Sequence, residues 1–245
     1  MSVDPQDGSA VKFLQLGLGD QASADEAIRS VVVSEGRLDV VVHNVGLHTY
    51  GITEAFAPAQ MAALFDINVL GSQRVNIAAL PHMRRRESGL LLWVGSTATR
   101  GGLTPFMGPY AATMAAVDLL AQSYALELTR FGIESSIVLA GTPSPDEGAS
   151  LRVAPSRRAV SDAYGRYNDL LDDMPGRLAE LLPEELDDRV VAGELRRIIE
   201  LPVGRRPFRV VVDPLNSGAD IVTEAVERAR TAFAHRLGIA GLLPS

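Results

Sequence analysis

The sequence predicts an α/β fold in which a mostly parallel sheet lies between two layers of helices, a three-layer αβα arrangement. Short apolar runs rich in valine, leucine and isoleucine alternate along the chain with longer stretches of helical spacing. The apolar runs contain few polar positions, which is typical of parallel strands that are buried on both faces. Strands alternating with helices in this way indicate βαβ units, whose crossovers are right-handed.

Five of the apolar runs are predicted to be strands. Two of them, "LDVVVHN" and "LLLWVGS", are continuous enough to be central strands, and Trp93 in the second is expected in the core. In chain order the predicted strands cover 11–16, 38–44, 90–96, 133–141 and 206–213.

The first interval between strands has the pattern of a helix over 22–36. Ser23 is predicted as its N-cap, and Glu26 stands three residues further on, the spacing of a capping box. Gly36 suits the end of the helix, since glycine readily adopts the left-handed conformation found there.

Three further helical regions follow. One covers 54–86 and is interrupted near "DINVLG", one covers 108–132, and the last covers 218–238. On the helix over 108–132, Asp118 and Glu127 are expected at the surface or in an interface rather than in catalysis.

The segment 142–205 interrupts this alternation of strands and helices. It lies between the last two predicted strands and mixes polar and helical pieces with several prolines, among them Pro143, Pro145, Pro155, Pro175 and Pro183. In an open α/β sheet, a segment inserted at the carboxyl ends of the strands typically covers the substrate. We therefore expect a substrate lid within a single domain that spans residues 1–245.

The composition disfavours several classes of protein. Of the 245 residues, 47% are hydrophobic and 22% are charged, which is typical of a globular chain. The net charge of −7 disfavours a nucleic-acid partner, and the absence of cysteine excludes disulfides and cysteine metal sites. The four histidines lack the spacing of metal ligands. No apolar stretch has the length of a membrane span and no signal-peptide pattern is present, so the expectation is a cytoplasmic protein.

Four motifs, in a fixed order, resemble the classical short-chain dehydrogenase/reductase family. They are "HNVG" (43–46), "INVLG" (67–71), "WVGSTATRGG" (93–102) and "GPYAATM" (108–114). The resemblance covers residues 11–142, and the last predicted strand also fits. It implies a Rossmann-like fold and hydride transfer between NAD or NADP and a small-molecule alcohol or carbonyl substrate.

The resemblance also implies roles for individual residues. Tyr110 matches the family's acid/base tyrosine, and Asn68 matches the helix asparagine that holds a water for proton relay. Ser96 matches the serine that hydrogen-bonds the substrate oxygen, although Thr97 lies one residue closer to the expected spacing. A phenol titrates near pH 10, so the tyrosine of this family needs a neighbouring charge to act as a base at neutral pH.

The cofactor side of the site is implied in the same way. Asn44 and Gly46 match the turn that lines the cofactor ribose, and Thr142 would lie near the nicotinamide amide. The residues that choose between NAD and NADP follow the family's second strand, which has no counterpart in this sequence, so the choice stays open.

One departure from the family concerns a lysine. The family places it four residues after the tyrosine, where its ammonium stabilises phenolate and grips the ribose. This sequence has Met114 there, and Lys12 is its sole lysine. Arg100 is the nearest cation in sequence to Tyr110.

A second departure concerns the glycines of "GLGDQA" (17–22). The spacing G-x-G-x-x-A outlines a dinucleotide-binding turn. The resemblance instead aligns this segment with the loop after the family's third strand, so the chain is expected to be N-terminally truncated, without the first two strands and the true phosphate turn. We predict that 11–16 pairs beside 38–44 in their place, leaving the helix N-terminus to face an anion. The alternative is a loosely packed edge strand.

These observations leave three functions open. The first is an oxidoreductase of this family, impaired in nucleotide binding and hydride transfer. The second is a catalytically silent subunit that pairs with an active paralogue. Both of these functions predict a homo- or hetero-oligomer formed through the helices around 54–86 and 108–132. The third is a non-redox dehydratase, isomerase or cyclase that uses Tyr110 and Ser96.

Overall fold

A four-stranded parallel sheet with helices packed against it forms the centre of the molecule. The computed structural model describes residues 11–44, 46–101, 105–141, 152–183 and 189–244. This architecture confirms the predicted α/β fold.

The strands follow the buried apolar runs. They are β1 (Val40–His43), β2 (His48–Thr49), β3 (Gly89–Ser96), β4 (Ile133–Ala140), β5 (Arg152–Val153) and β6 (Arg209–Val212). The main sheet has the order β1-β3-β4-β6 and all of its pairs are parallel, while β2 and β5 form a separate parallel pair. Because β3 and β4 are central, nearly all of their side chains are buried, as the continuous apolar sequence of β3 predicts. β1 lies at the edge of the sheet and is only partly buried, so the prediction of a central strand over 38–44 is wrong.

The helices are α1 (Gln21–Glu35), α2 (Pro58–Phe65), α3 (Gly71–Arg86), α4 (Gly108–Leu128), α5 (Arg158–Ala163), α6 (Asn168–Glu180), α7 (Val190–Glu200) and α8 (Ala219–Leu237). A π-helical turn over Asp66–Leu70 joins α2 to α3, at the predicted interruption. A π turn inside a helix is frequent at functional sites.

The two faces of the sheet bury different clusters, which gives the three layers. On one face, Leu91, Trp93 and Leu139 pack with residues of α1, α3 and α4. On the other face, Leu90, Leu92 and Val138 pack with residues that include Ile198 of α7. The core therefore lies on both sides of β3 and β4.

The prediction that 11–16 is a strand beside β1 is wrong. The segment forms no strand, Val11 and Phe13 are 55% and 70% exposed, and β1 pairs only with β3 among the described strands. The loop that follows is held on the helix layer, because Arg74 of α3 donates a hydrogen bond to the carbonyl of Leu18 (2.7 Å) and Leu18 packs against Gly71. This anchor directs the preceding residues away from the sheet edge.

The predicted start of α1 is also wrong, whereas its predicted end is confirmed. The N-cap is Asp20, whose carboxylate accepts a hydrogen bond from the N–H of Ala22 (3.1 Å). Ser23 instead accepts one from the N–H of Gly17 (2.8 Å). Gly36 ends the helix at φ 73°, in the left-handed region.

Candidate active site

Tyr110 lies in the first turn of α4, whose N-terminus faces the carboxyl edge of the sheet. Pro109 suits this turn, since proline has no N–H to leave unpaired there. The N–H of Tyr110 donates to Oγ1 of Thr49 (3.1 Å), which ties the helix start to β2. The tyrosine is only 9% exposed, so its phenol reacts in a largely dry environment.

Ser96 is the hydroxyl that the structure brings to Tyr110. It ends β3, and its hydroxyl lies near enough to the Tyr110 phenol to lower the pKa of that phenol. Its Oγ also accepts from the N–H of Ala98 (3.2 Å), which fixes the serine at the start of the short turn that follows. Thr97 is buried and points toward Gly141, where a Cβ would lie 3.0 Å from its Oγ1. Ser96 and not Thr97 therefore pairs with the phenol.

The phenol of Tyr110 is strongly biased toward its neutral form. Burial raises the pKa of Tyr110 to about 12, and the neighbouring Ser96 hydroxyl opposes this only in part. His48 stacks on the ring, with centroids 4.4 Å apart and planes 26° apart. With that pKa, only a fraction on the order of 10⁻⁵ is ionised at pH 7, so the group is a proton donor.

Met114 stands one helical turn after Tyr110 and is 5% exposed, so it is packed in the core. It supplies no charge to the phenol. The guanidinium of Arg100 binds the buried carboxylate of Asp118 instead. Lys12 is exposed and paired with Glu35. Neither Arg100 nor Lys12 therefore replaces the family's lysine.

Asn68 lies in the π turn and is 2% exposed. Its Oδ1 accepts from the N–H of Leu47 (2.7 Å), and its Nδ2 donates to the Leu47 carbonyl (3.1 Å) and to Oγ1 of Thr113 (2.9 Å). Thr113 in turn donates to the carbonyl of Tyr110 (2.8 Å). Asn68 therefore connects the loop after β1 to the tyrosine helix.

The loop after β1 also positions the residues expected at the cofactor ribose. A Cβ added at Gly46 would lie 3.8 Å from the Tyr110 ring and 3.9 Å from Oδ1 of Asn68, so this glycine borders the site. Asn44 is exposed directly after β1. Thr142 lies outside the described residues.

His43, at the end of β1, is neutral at physiological pH. Desolvation lowers the pKa of His43 to about 4, although a hydrogen bond with Asn76 opposes this shift. Nε2 of the ring donates to Oδ1 of Asn76 (2.8 Å), and the ring packs on Trp93 at a centroid distance of 4.2 Å. The histidine is thus an uncharged, hydrogen-bonded neighbour of the site.

The N-terminus of α1 does not fit a nucleotide phosphate, contrary to the sequence prediction. One N–H group of its first turn, that of Ala22, already donates to the carboxylate of Asp20, and Gly17 just before the helix donates to Ser23. The Asp20 carboxylate also places negative charge where a phosphate would bind. The glycines of "GLGDQA" form a packed, capped loop.

Two general findings concern metal binding and membrane spans. Within the described ranges, no group of three or more histidine or acidic side chains is gathered as metal ligands would be. No helix in these ranges combines the length and apolarity needed to cross a membrane.

Sequence reasoning missed several residues that hold the site together. Thr49, Leu47 and Thr113 fix the Tyr110 helix and Asn68 through contacts between distant parts of the chain. Thr113 could have been found, since its position three residues after the tyrosine puts both on neighbouring turns of one helix. His48 offered no signal beyond its place near the loop after β1.

A Rossmann-like sheet with a neighbouring serine and tyrosine at its carboxyl edge defines a class of dehydrogenase and reductase domains. A family model described as short chain dehydrogenase matches residues 3–152. The chain belongs to the short-chain dehydrogenase family.

Three curated relatives show how much of the chain is shared. Human 17-beta-hydroxysteroid dehydrogenase type 1 is 39% identical over 132 residues, 54% of this chain and 39% of the relative. Human retinol dehydrogenase 8 is 32% identical over 55% of this chain and 42% of the relative. A 3-ketodihydrosphingosine reductase of Bacteroides thetaiotaomicron is 26% identical over 84% and 74%. The chain thus spans about two-fifths of the steroid and retinol relatives it matches.

Solved structures share the fold. A short-chain dehydrogenase from Streptomyces avermitilis superposes with a TM-score of 0.67 at 24% identity, over 92% of this chain and 79% of that chain. A gluconate 5-dehydrogenase from Burkholderia cenocepacia, solved with NADP and tartrate, gives 0.60 at 22% identity, over 83% and 73%.

Proposed function

We propose that this chain is an oxidoreductase of the short-chain dehydrogenase type, impaired in nucleotide binding and hydride transfer when it acts alone. Its substrate is a small-molecule carbonyl or alcohol, and NAD or NADP is the redox partner of its family. Ser96 holds the substrate oxygen and Tyr110 donates the proton to it. The observation that carries this proposal is the position of the buried Tyr110 phenol in the first turn of α4, beside the Ser96 hydroxyl at the end of β3.

The protonation state of the tyrosine favours reduction of a carbonyl over oxidation of an alcohol. Because the pKa of Tyr110 is raised to about 12, the phenol carries its proton at neutral pH and can give it to a developing alkoxide. Oxidation would need the phenolate, which is scarce without a neighbouring cation.

Two features support impairment. Met114 is buried where the family has its lysine, so nothing there stabilises phenolate or grips a ribose. The Asp20 carboxylate caps α1 and opposes a phosphate at that helix end. Gly46 and Asn44 still border the tyrosine on the side where a ribose would lie, so the loss is at the charged ends of the cofactor.

The names of the relatives support an apolar substrate. Relatives named for a steroid, a retinol and a sphingoid base act on large apolar alcohols or ketones by those names. The residues described between β5 and β6 support a lid over such a substrate. β5 pairs with β2, Gln60 donates to the carbonyl of Ala154 (2.8 Å), and Tyr50 donates to that of Leu171 (2.6 Å).

A second candidate, a silent subunit, is favoured by the surfaces of two helices. Ile77 of α3 and Leu119 of α4 are 52% and 66% exposed, on the helices through which assembly is expected. Co-purification with an active paralogue would support this role.

Replacing Met114 with lysine is expected to raise the rate of ketone reduction with NADPH or NADH up to about tenfold, because the ammonium would stabilise the phenolate that remains once Tyr110 has donated its proton, and each unit by which the pKa falls is worth at most that factor. The rate is measured by nicotinamide absorbance on a panel of apolar ketones. Met114→Leu is the matched control, since it conserves volume without adding charge. A folded Met114→Lys protein that is no faster than Met114→Leu contradicts the proposal.

A further inference from the structure

A cavity beside the candidate active site is lined by aromatic rings and one carboxylate. It measures about 250 Å³ and is lined by Ile52, Thr53, Glu54, Phe106, Tyr164 and Tyr167. We propose that it is the subsite for the far end of the substrate, and that it selects a flat aromatic or polycyclic group whose distal hydroxyl donates a hydrogen bond to Glu54. This inference rests on the proposed function, since it takes Tyr110 as the place of the reacting carbonyl.

Aromatic rings from two distant parts of the chain form the walls. Phe106, in the loop before α4, meets the ring of Tyr50 edge to face at 5.9 Å. Tyr164 and Tyr167 come from the segment between β5 and β6, with ring centroids 6.3 Å apart. Such walls favour a flat ring, since aromatic groups pack edge to face or offset with considerable burial of area.

Phe106, which lines the cavity, has a strained backbone conformation. Its φ is 64°, in the left-handed region, which is unfavourable by about 1–2 kcal/mol for a residue with a side chain. A hydrogen bond from the N–H of Gly51 to its carbonyl (2.8 Å) holds it there. Strained residues of this kind cluster at ligand sites.

The polar end of the cavity is the carboxylate of Glu54, which can accept further hydrogen bonds. Tyr164 Oη donates to Oε2 of Glu54 (2.7 Å), which orients the carboxylate. Within the described part of the chain, no donor reaches the other oxygen, Oε1, and no basic side chain forms an ion pair with Glu54. The ionised carboxylate accepts a hydrogen bond from a hydroxyl group, whereas an ether has no hydrogen to donate to it.

The cavity is continuous with the tyrosine helix. Thr53 contacts the start of α4, where a Cβ at Gly108 would lie 2.6 Å from its Oγ1. Four residues before Thr53, Thr49 accepts the hydrogen bond from the N–H of Tyr110. The short stretch from Thr49 to Thr53 therefore connects the cavity to the helix that carries Tyr110.

The test measures binding without nucleotide, so its outcome does not depend on hydride transfer. Three probes are titrated by calorimetry: methyl naphthyl ketone, its analogue with a hydroxyl on the distal ring, and the methyl ether of that analogue. The hydroxyl compound is expected to bind the protein about tenfold or more tightly than the ether, as a hydrogen bond to a charged group is worth that factor. Glu54→Gln is expected to remove most of this preference.

Two variants act as controls. Glu26→Gln removes an exposed carboxylate on α1 and should keep the preference. Phe106→Leu should weaken the binding of all three probes to a similar extent, because it removes an aromatic wall of the cavity and leaves the Glu54 carboxylate in place. Equal binding of hydroxyl and ether by the unmodified protein, or an unchanged preference in Glu54→Gln, overturns the inference. A protein that binds the probes as expected but never reduces a ketone contradicts the proposed function and leaves the subsite standing.

Discussion

Replacing Tyr110 with phenylalanine is expected to lower the rate of ketone reduction at least about 100-fold, the usual contribution of a positioned proton donor. The substitution removes only the hydroxyl. The ring keeps its stacking on His48 and its place in the first turn of α4, so the fold should persist. The rate is measured in the Met114→Lys background, where the expected activity is higher, and in the unmodified chain.

The control for this change lies on the same helix. Tyr124 of α4 donates to Gln73 (2.6 Å) and packs on Trp93, away from Ser96, so Tyr124→Phe should leave the rate nearly unchanged. Ser96→Ala should act in the same direction as Tyr110→Phe, because Ser96 shares the substrate oxygen with the phenol. A Tyr110→Phe protein that reduces ketones at the original rate contradicts the role of the hydroxyl.

The largest expected loss of stability follows from replacing Asp118 with asparagine. Asp118 is 2% exposed and accepts hydrogen bonds from Arg100, Arg209 and Gln122, and Arg209 is itself only 3% exposed. Removing the one carboxylate leaves the guanidinium of Arg100 without its carboxylate partner and that of Arg209 with Glu227 alone (3.2 Å). Breaking a buried ion pair in this way destabilises proteins by about 3–5 kcal/mol. The free energy of unfolding is measured by urea titration with circular dichroism.

Two comparisons test that this loss comes from the buried charge. Glu26→Gln breaks an exposed ion pair with Arg29 and should leave the stability unchanged within error. The double variant Asp118→Leu with Arg209→Met should be more stable than Asp118→Leu alone, because one of the two guanidinium groups that lost Asp118 is gone. A loss below about 1 kcal/mol in Asp118→Asn shows that water or neighbouring groups compensate the arginines.

The sequence predicted the sheet where burial on both faces left a readable pattern. The run that became β3 is continuously apolar because neighbours cover it on each side. The run 11–16 is also mostly apolar and forms no strand, since apolar sequence does not say which partner a strand will find. What decided its position was an anchor between Arg74 and Leu18, residues that lie 56 positions apart.

The site shows the same division between local and distant information. Ser96, Asn68 and Tyr110 could be placed because each stands in a local motif next to a strand end or helix start. The structure brings them together through Thr49 and Leu47, whose contacts join residues 61 and 21 positions apart. Asp118 was expected at the surface or in an interface and is buried, because its partner Arg209 comes from β6, 91 positions away.

The central claim is that the hydroxyl pair is kept while the grip on the nucleotide is lost. Calorimetric titration of the 245-residue chain with NADPH and with NADH tests it directly. We expect no saturable binding up to about 1 mM, the weak end of the usual range for enzyme ligands. Saturable binding of either nucleotide with a Kd in the micromolar range would contradict the claim.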